Sequence, residues 1–191
     1  ARSRRLPDPL TADEEWIKSA RDRGLSFTIR PAAALVRDFR RVKSAAEIEN
    51  VRMAMTITSA AQREAMRAAA PGMYEYQLQS IIEHVFSVNG ARRVAFSTIV
   101  GSGPNGIILH WSKNTRQTRP GDMVVMDVGA EYARYAADIT RTIPISGTFT
   151  PRQKAIYETV LRANEAAIEM VAPGVTMRDI NAKVNEILGQ G

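Results

Sequence analysis

The stretch that most constrains this chain is Met123 to Ile145, where Met-Val-Val-Met-Asp127-Val-Gly-Ala and Tyr-Ala-Ala-Asp138-Ile-Thr-Arg-Thr-Ile flank a short polar connection. Two strand-like apolar runs so joined predict a β-hairpin. A turn centred between Tyr132 and Ala133 would set Asp127 directly opposite Asp138 on one face, with Cβ atoms roughly 5 Å apart. Two ionised carboxylates so placed, in a run as apolar as Val124-Val125-Met126, repel each other and lose hydration. A shared proton, a cationic side chain such as Arg141, or a divalent metal with oxygen ligands would offset that cost. The shared proton is disfavoured because neither aspartate lies in an Asp-Thr-Gly-like loop. An arginine is the ordinary partner of a lone buried aspartate rather than of a registered pair, so a metal fits best.

The rest of the composition narrows the field. With 191 residues, 45% hydrophobic and 24% charged, the chain has material for a real core and the profile of a soluble globular protein. It has no cysteine, which excludes disulfides, thiolate nucleophiles and Cys-ligated zinc. No apolar run approaches the roughly 20 residues that span a bilayer, and Ala1-Arg-Ser-Arg-Arg lacks a signal-peptide core, so the expected location is cytoplasmic and no membrane partner is expected. The net charge of +6 is concentrated at the start: residues 1–43 hold 11 Lys/Arg against 6 Asp/Glu, and the remainder 15 against 14. A nearly neutral body without an aromatic-interleaved basic stripe argues against nucleic acid as a partner.

Along the chain, Thr11 with Glu14 forms a capping box that opens a helix ended by Gly24, and Pro31 can open a second reaching about Val42. Residues 1–43 are too few for a core and read as the tail of a preceding domain or a linker. Ser44 with Glu47 opens a longer helix in which Ile48, Val51, Met55, Thr58 and Ala61 recur at helical spacing until Ala70-Pro71-Gly72. Another helix puts Leu78, Ile82, Val85 and Phe86 on one face. Strand-like runs follow at Val94–Val100 and Ile107–Trp111, then the hairpin. The helical pattern returns at 151–172, ends in Ala172-Pro173-Gly174, and is followed by Ile180, Val184, Ile187 and Leu188 at the same spacing as the earlier face. Stop and face together predict a duplicated unit of two helices followed by a sheet, with units 44–147 and 151–191 and the second sheet expected beyond the last residue given.

Other motifs are weaker. Gly101-Ser-Gly103-Pro-Asn-Gly106 matches Gly-x-Gly-x-x-Gly, but the strand-like Ile107-Ile-Leu-His-Trp follows it where a dinucleotide site needs a helix. A turn shaping a pocket wall is the better reading. His110, between Leu109 and Trp111, is a functional candidate, while His84 falls on the solvent side of its helix. No serine sits in a nucleophile elbow.

Taken together, Lys43-Ser-x-x-Glu47-Ile48, Phe96-Ser-Thr-Ile-Val-Gly-Ser-Gly-Pro-Asn105, Leu109-His110, Gly121-Asp-x-Val-x-Met-Asp127-Val-Gly, Asp138-Ile-Thr-Arg-Thr-x-Pro144 and Phe149-Thr-Pro-Arg-Gln153 resemble the pita-bread metallopeptidases, most of all those that cleave Xaa-Pro bonds. The resemblance runs from about residue 40 to the end. It implies an α+β fold, the first half of a duplicated pita-bread domain with helices packed on one face of an antiparallel sheet and the second half truncated. It also implies two divalent metal ions, usually Mn²⁺, with Asp127 binding one, Asp138 bridging both, and His110 near the scissile bond positioning substrate and moving a proton. The remaining ligands, one His and two Glu, belong to the second half and have no counterpart here. Arg134 departs from the family, which carries Gly in that turn.

The expected function is therefore that of a dinuclear metalloaminopeptidase removing an N-terminal residue that precedes proline, with this chain an inactive fragment. The alternative is a non-catalytic pita-bread module that binds a peptide or protein. The expected partners are a peptide substrate and, through the incomplete duplication, further copies of the chain.

Overall fold

The computed structural model describes residues 11–29 and 32–190 and divides the chain at Lys43/Ser44 into two compact units. The amino-terminal Ala1-Arg-Ser-Arg-Arg and Pro31 lie outside the described residues. In the first unit, α1 (Ala12–Asp22) is opened by the Thr11/Glu14 capping box and left through Gly24 at φ 78, and α2 (Ala33–Arg41) follows.

The second unit begins with α3 (Ala45–Ala68), opened by the reciprocal hydrogen bonds of Ser44 and Glu47, and α4 (Glu75–Val88). Leu78, Ile82, Val85 and Phe86 are all buried, as the spacing predicted. The buried face of α3 is shifted from the expected one: Thr58 and Ala61 are buried, but Ile48 and Met55 are exposed, and Ala54, Ile57, Gln62 and Ala65 face inward instead. Small residues win that face because they let the helix axis approach its neighbours closely.

The strands are β1 (Arg93–Val94), β2 (Ile99–Ser102), β3 (Met123–Val128), β4 (Ala130–Tyr132), β5 (Tyr135–Ala136) and β6 (Ile139–Pro144). They form two antiparallel sheets, ordered β1-β4-β5 and β2-β3-β6. Burial alternates along β3, with Val124, Met126 and Val128 fully covered in one cluster with Ile57, Ala61, Leu78, Ile82 and Phe86. Each such large side chain contributes about 1.5–3 kcal/mol by leaving water. Met123, Val125 and Asp127 therefore fall on the other face of the strand.

The hairpin is present, but its register differs from expectation. Asp127 pairs with Thr140 and Tyr132 with Tyr135, so the turn is at Ala133-Arg134, one residue later than predicted. Both turn residues are left-handed, at φ 49 and 71, which is the backbone of a two-residue turn matched to strand twist. A turn moved by one residue changes pairing by two. Asp138 thus stays on the face of Asp127 as a diagonal neighbour instead of a direct partner.

The sheet is also broken. Between β3 and β4 stands Gly129, where a Cβ atom would lie 1.9 Å from the carbonyl oxygen of Ala137. The break crosses three strands: Ala137 and Asp138 separate β5 from β6, and residues 95–98 separate β1 from β2, so the predicted strand Val94–Val100 is two short ones. From below, α3 supplies the hydrogen bonds that the broken ladder lacks. Thr58 Oγ1 accepts from Ala130 N at 3.0 Å, and Gln62 Nε2 donates to the carbonyls of Met126 at 3.0 Å and Ile139 at 2.9 Å.

The run Ile107–Trp111 is not a strand. Gly103–Ile107 is a 3₁₀ turn, and the residues after it lie outside both sheets. No α-helix opens after the glycines, and the dinucleotide reading ends there. Finally α5 (Pro151–Glu169) and α6 (Met177–Gln190) pair with each other but leave Ile156, Val160, Ile168 and Leu188 exposed.

Two substitutions check this account by denaturant unfolding. Gly129→Ala should cost about 3 kcal/mol or more, because the clash is with backbone that cannot swing aside. Arg134→Gly should stabilise the chain by up to about 1 kcal/mol, since glycine enters the left-handed region without strain but gives back part of that gain as unfolded-state entropy.

Candidate metal centre

Asp127 projects from β3 opposite the helix-covered face, and Thr140 Oγ1, its cross-strand partner, donates to its Oδ1 at 2.8 Å. Asp138 sits in the break just before β6, where its backbone is outside the ladder. Desolvation, then the charge of Asp127, then a hydrogen bond from the protonated acid hold the Asp138 carboxyl above the usual aspartate range.

A cavity of about 370 Å³ brings both aspartates together with Phe96, Ser97, Ile99, His110 and Ser112. His110 reaches it from a turn with a left-handed backbone, φ 57, rather than from a strand. His84 is exposed on α4, away from this cavity. A larger cavity, about 470 Å³, lies between β6 and α5, lined by Ile156, Val160 and Leu161 among others. Its one charged lining residue is Arg141, so the chemistry belongs to the smaller cavity.

No ion pair engages Asp127 or Asp138 among the described residues, and Arg141 donates instead to the carbonyl of Thr140. Two adjacent carboxylates without a protein cation are a donor set suited to a hard divalent cation, which would relieve their repulsion. Among the described residues no group of three or more His, Asp and Glu could hold a metal.

Sequence reasoning missed Thr140, Thr58 and Gln62. The signal was there for the last two: polar residues one turn apart on an otherwise apolar helix face. It missed Glu75 altogether. That carboxylate is fully buried at the start of α4 and accepts from Ser102, Asn105, Trp111 and Arg116. Burial alone would raise it, but these donors outweigh burial and leave it below the usual glutamate range.

The raised Asp138 carboxyl has a definite sign. The folded chain holds that proton more tightly than the unfolded one, so the stabilising contribution of the protonated acid is present below about pH 3.9, the ordinary aspartate value. It is lost as pH rises through the higher folded value. Asp127→Asn removes the repelling charge and should lower the Asp138 titration midpoint, read from its carboxyl ¹³C shift against pH.

Comparison with known proteins identifies the family. The model of metallopeptidase family M24 matches residues 49–191. The Xaa-Pro aminopeptidase of Escherichia coli is 43% identical over 157 residues, covering 82% of this chain and 36% of that protein. The human Xaa-Pro dipeptidase is 40% identical over 150 residues, covering 76% of this chain and 30% of that protein. An Escherichia coli aminopeptidase P variant, solved in complex with substrate, superposes with a TM-score of 0.86 at 39% identity, over 92% of this chain and 40% of that one. The chain therefore spans about a third of the length of these curated relatives. A family match over three-quarters of the residues, together with relatives of this identity, shows that the chain belongs to metallopeptidase family M24.

Proposed function

We propose that this chain carries the amino-terminal part of the catalytic domain, from residue 44 onward, of a metal-dependent aminopeptidase that cleaves after an N-terminal residue preceding proline. The observation that carries the reading is the convergence of Asp127, Asp138 and His110 on one cavity from three separate segments. The relatives' names, Xaa-Pro aminopeptidase and Xaa-Pro dipeptidase, support the substrate class.

In this reading Asp127 and Asp138 hold two divalent cations, Mn²⁺ by resemblance, with further ligands from outside the chain. When bound, such cations supply a nucleophilic water at neutral pH and polarise a carbonyl. Thr140 keeps one oxygen of Asp127 occupied and so aims the other. His110, in the lining of the same cavity, is the group to hydrogen-bond the substrate and to give or take a proton at the scissile amide. The face of α6 that would match Leu78, Ile82, Val85 and Phe86 stays half-buried or exposed at Ile180, Val184, Ile187 and Leu188. That contrast supports a duplicated fold whose second sheet completes both core and site.

A second reading, a non-catalytic module binding a peptide or protein, is favoured by the absence of a three-ligand cluster among the described residues. An assay separates the two. The 191-residue chain with excess Mn²⁺ should bind the metal weakly and hydrolyse no Xaa-Pro peptide. Supplying the rest of the domain, in the same chain or as a separate fragment, should give turnover that Asp138→Ala abolishes and His110→Ala lowers by about 10²–10⁴-fold, the usual worth of a positioned proton donor. Turnover by the 191-residue chain alone, lost with Asp138→Ala, would mean that the site needs no further ligands. No turnover from the completed domain would favour the binding module.

A further inference from the structure

We infer that Glu75, a residue outside the cavity, positions His110 by gripping the loop that carries it, and that Trp111 transmits the grip. This inference rests on the reading of His110 as a substrate-contacting group.

A carboxylate with no accessible surface is destabilising unless its oxygens are fully engaged. Here every donor comes from one stretch of chain. Oε1 accepts from Ser102 N and Ser102 Oγ, both at 2.7 Å, and from Asn105 Nδ2 at 2.9 Å. Oε2 accepts from Trp111 Nε1 and Arg116 N, both at 3.0 Å, and from Asn105 Nδ2 at 3.2 Å. Hydrogen bonds to an ionised acceptor are roughly twice as strong as neutral ones, and the N-terminal end of α4 adds a favourable dipole. Glu75 accordingly ties down the entry of the loop at Ser102, its 3₁₀ turn at Asn105, its middle at Trp111 and its exit at Arg116.

His110 needs such support. It is a non-glycine residue at φ 57, exposed, and preceded by Ile107, Ile108 and Leu109, which are exposed as well. Little packing holds it, yet a left-handed backbone is strained for a residue with a Cβ. The nearest anchored atom along the chain is the Trp111 indole on Glu75. Beyond it Asn114, buried and left-handed itself, receives Val100 N on Oδ1 and donates to Gln79 and to the Thr98 carbonyl. With Trp111 and Asn114 both fixed, the backbone at His110 has few ways to rearrange.

The chain has two histidines and two tryptophans, and His84 and Trp16 serve as internal controls. Histidine imidazole and tryptophan indole NMR signals of the 191-residue chain are compared for wild type, Glu75→Gln and Trp111→Phe. Trp111→Phe keeps a ring and removes one of five donors, so it should fold even where Glu75→Gln does not. Both variants should displace or broaden the His110 signals while those of His84 stay in place. Unmoved His110 signals in folded Trp111→Phe, with the Trp16 signal also unchanged, would overturn the inference and leave Glu75 as an anchor of the fold alone. In the completed enzyme, Trp111→Phe should lower kcat, with a loss no larger than that of His110→Ala. A displaced His110 signal with unchanged turnover would uphold the positioning by Glu75 and count against the assigned role of His110 instead.

Discussion

The structure depends on a single close approach of backbone to backbone. At Gly129 the Ala137 carbonyl stands where any side chain would begin, and the long aspartate hairpin cannot run straight through that point. The same break divides β1 from β2 and β5 from β6. Ala95 N reaches the Gly129 carbonyl at 2.8 Å and Ala137 N the Ala130 carbonyl at 3.0 Å, so the strands resume on the far side in the same register. An interrupted ladder inside a protein leaves donors and acceptors that must be satisfied. Thr58 and Gln62 do this from α3, so two polar residues stand on a face of alanine and isoleucine. Gln62 Nε2 serves two carbonyls and its Oε1 has no partner among the described residues, which fixes the orientation of the amide.

That break gives Asp138 its place. Were the ladder continuous, Asp138 would be one more strand residue across from Gly129; instead it lies between β5 and β6, free to lean toward Asp127. The cost appears in its raised carboxyl, and nothing among the described residues relieves it. Glu75 presents the opposite solution to the same problem. It is far more deeply buried than either aspartate, yet its donors hold it ionised. A carboxylate saturated with hydrogen bonds organises structure, whereas a pair left short of them is ready for a cation. The contrast separates the two kinds of acid more clearly than burial does.

The two helix pairs carry related patterns with different fates. On α4 the apolar face closes over the sheet and is buried, while on α6 the corresponding residues stay half-buried or exposed. The apolar cavity between β6 and α5 belongs to the same contrast. It is larger than the one that holds the aspartates and has no acid or histidine in its lining.

Much of this was legible in the residues. Capping boxes at Thr11 and Ser44, the glycine and proline stops, and the periodic face of α4 are local signals, and local hydrogen bonds and spacing suffice to produce the elements they announce. The two aspartates could be placed on one face because side chains alternate along a strand, and an error of two in pairing preserves that alternation. The remainder was decided by tertiary structure. Whether Ile107–Trp111 became a strand depended on the path of its loop, which is tied at Asn105, Trp111 and Arg116 to the distant Glu75, and its own composition does not report that. The buried side of α3 depended on how closely the helix approaches the sheet, which favoured alanine over the larger Ile48 and Met55. Glu75 offered no local sign at all, since its five donors lie 27 to 41 residues further along the chain and meet it only when the loop has closed. Local chemistry therefore determined the elements and the face of the carboxylates, while contacts distant in sequence decided where the hairpin breaks and what holds His110 in the cavity.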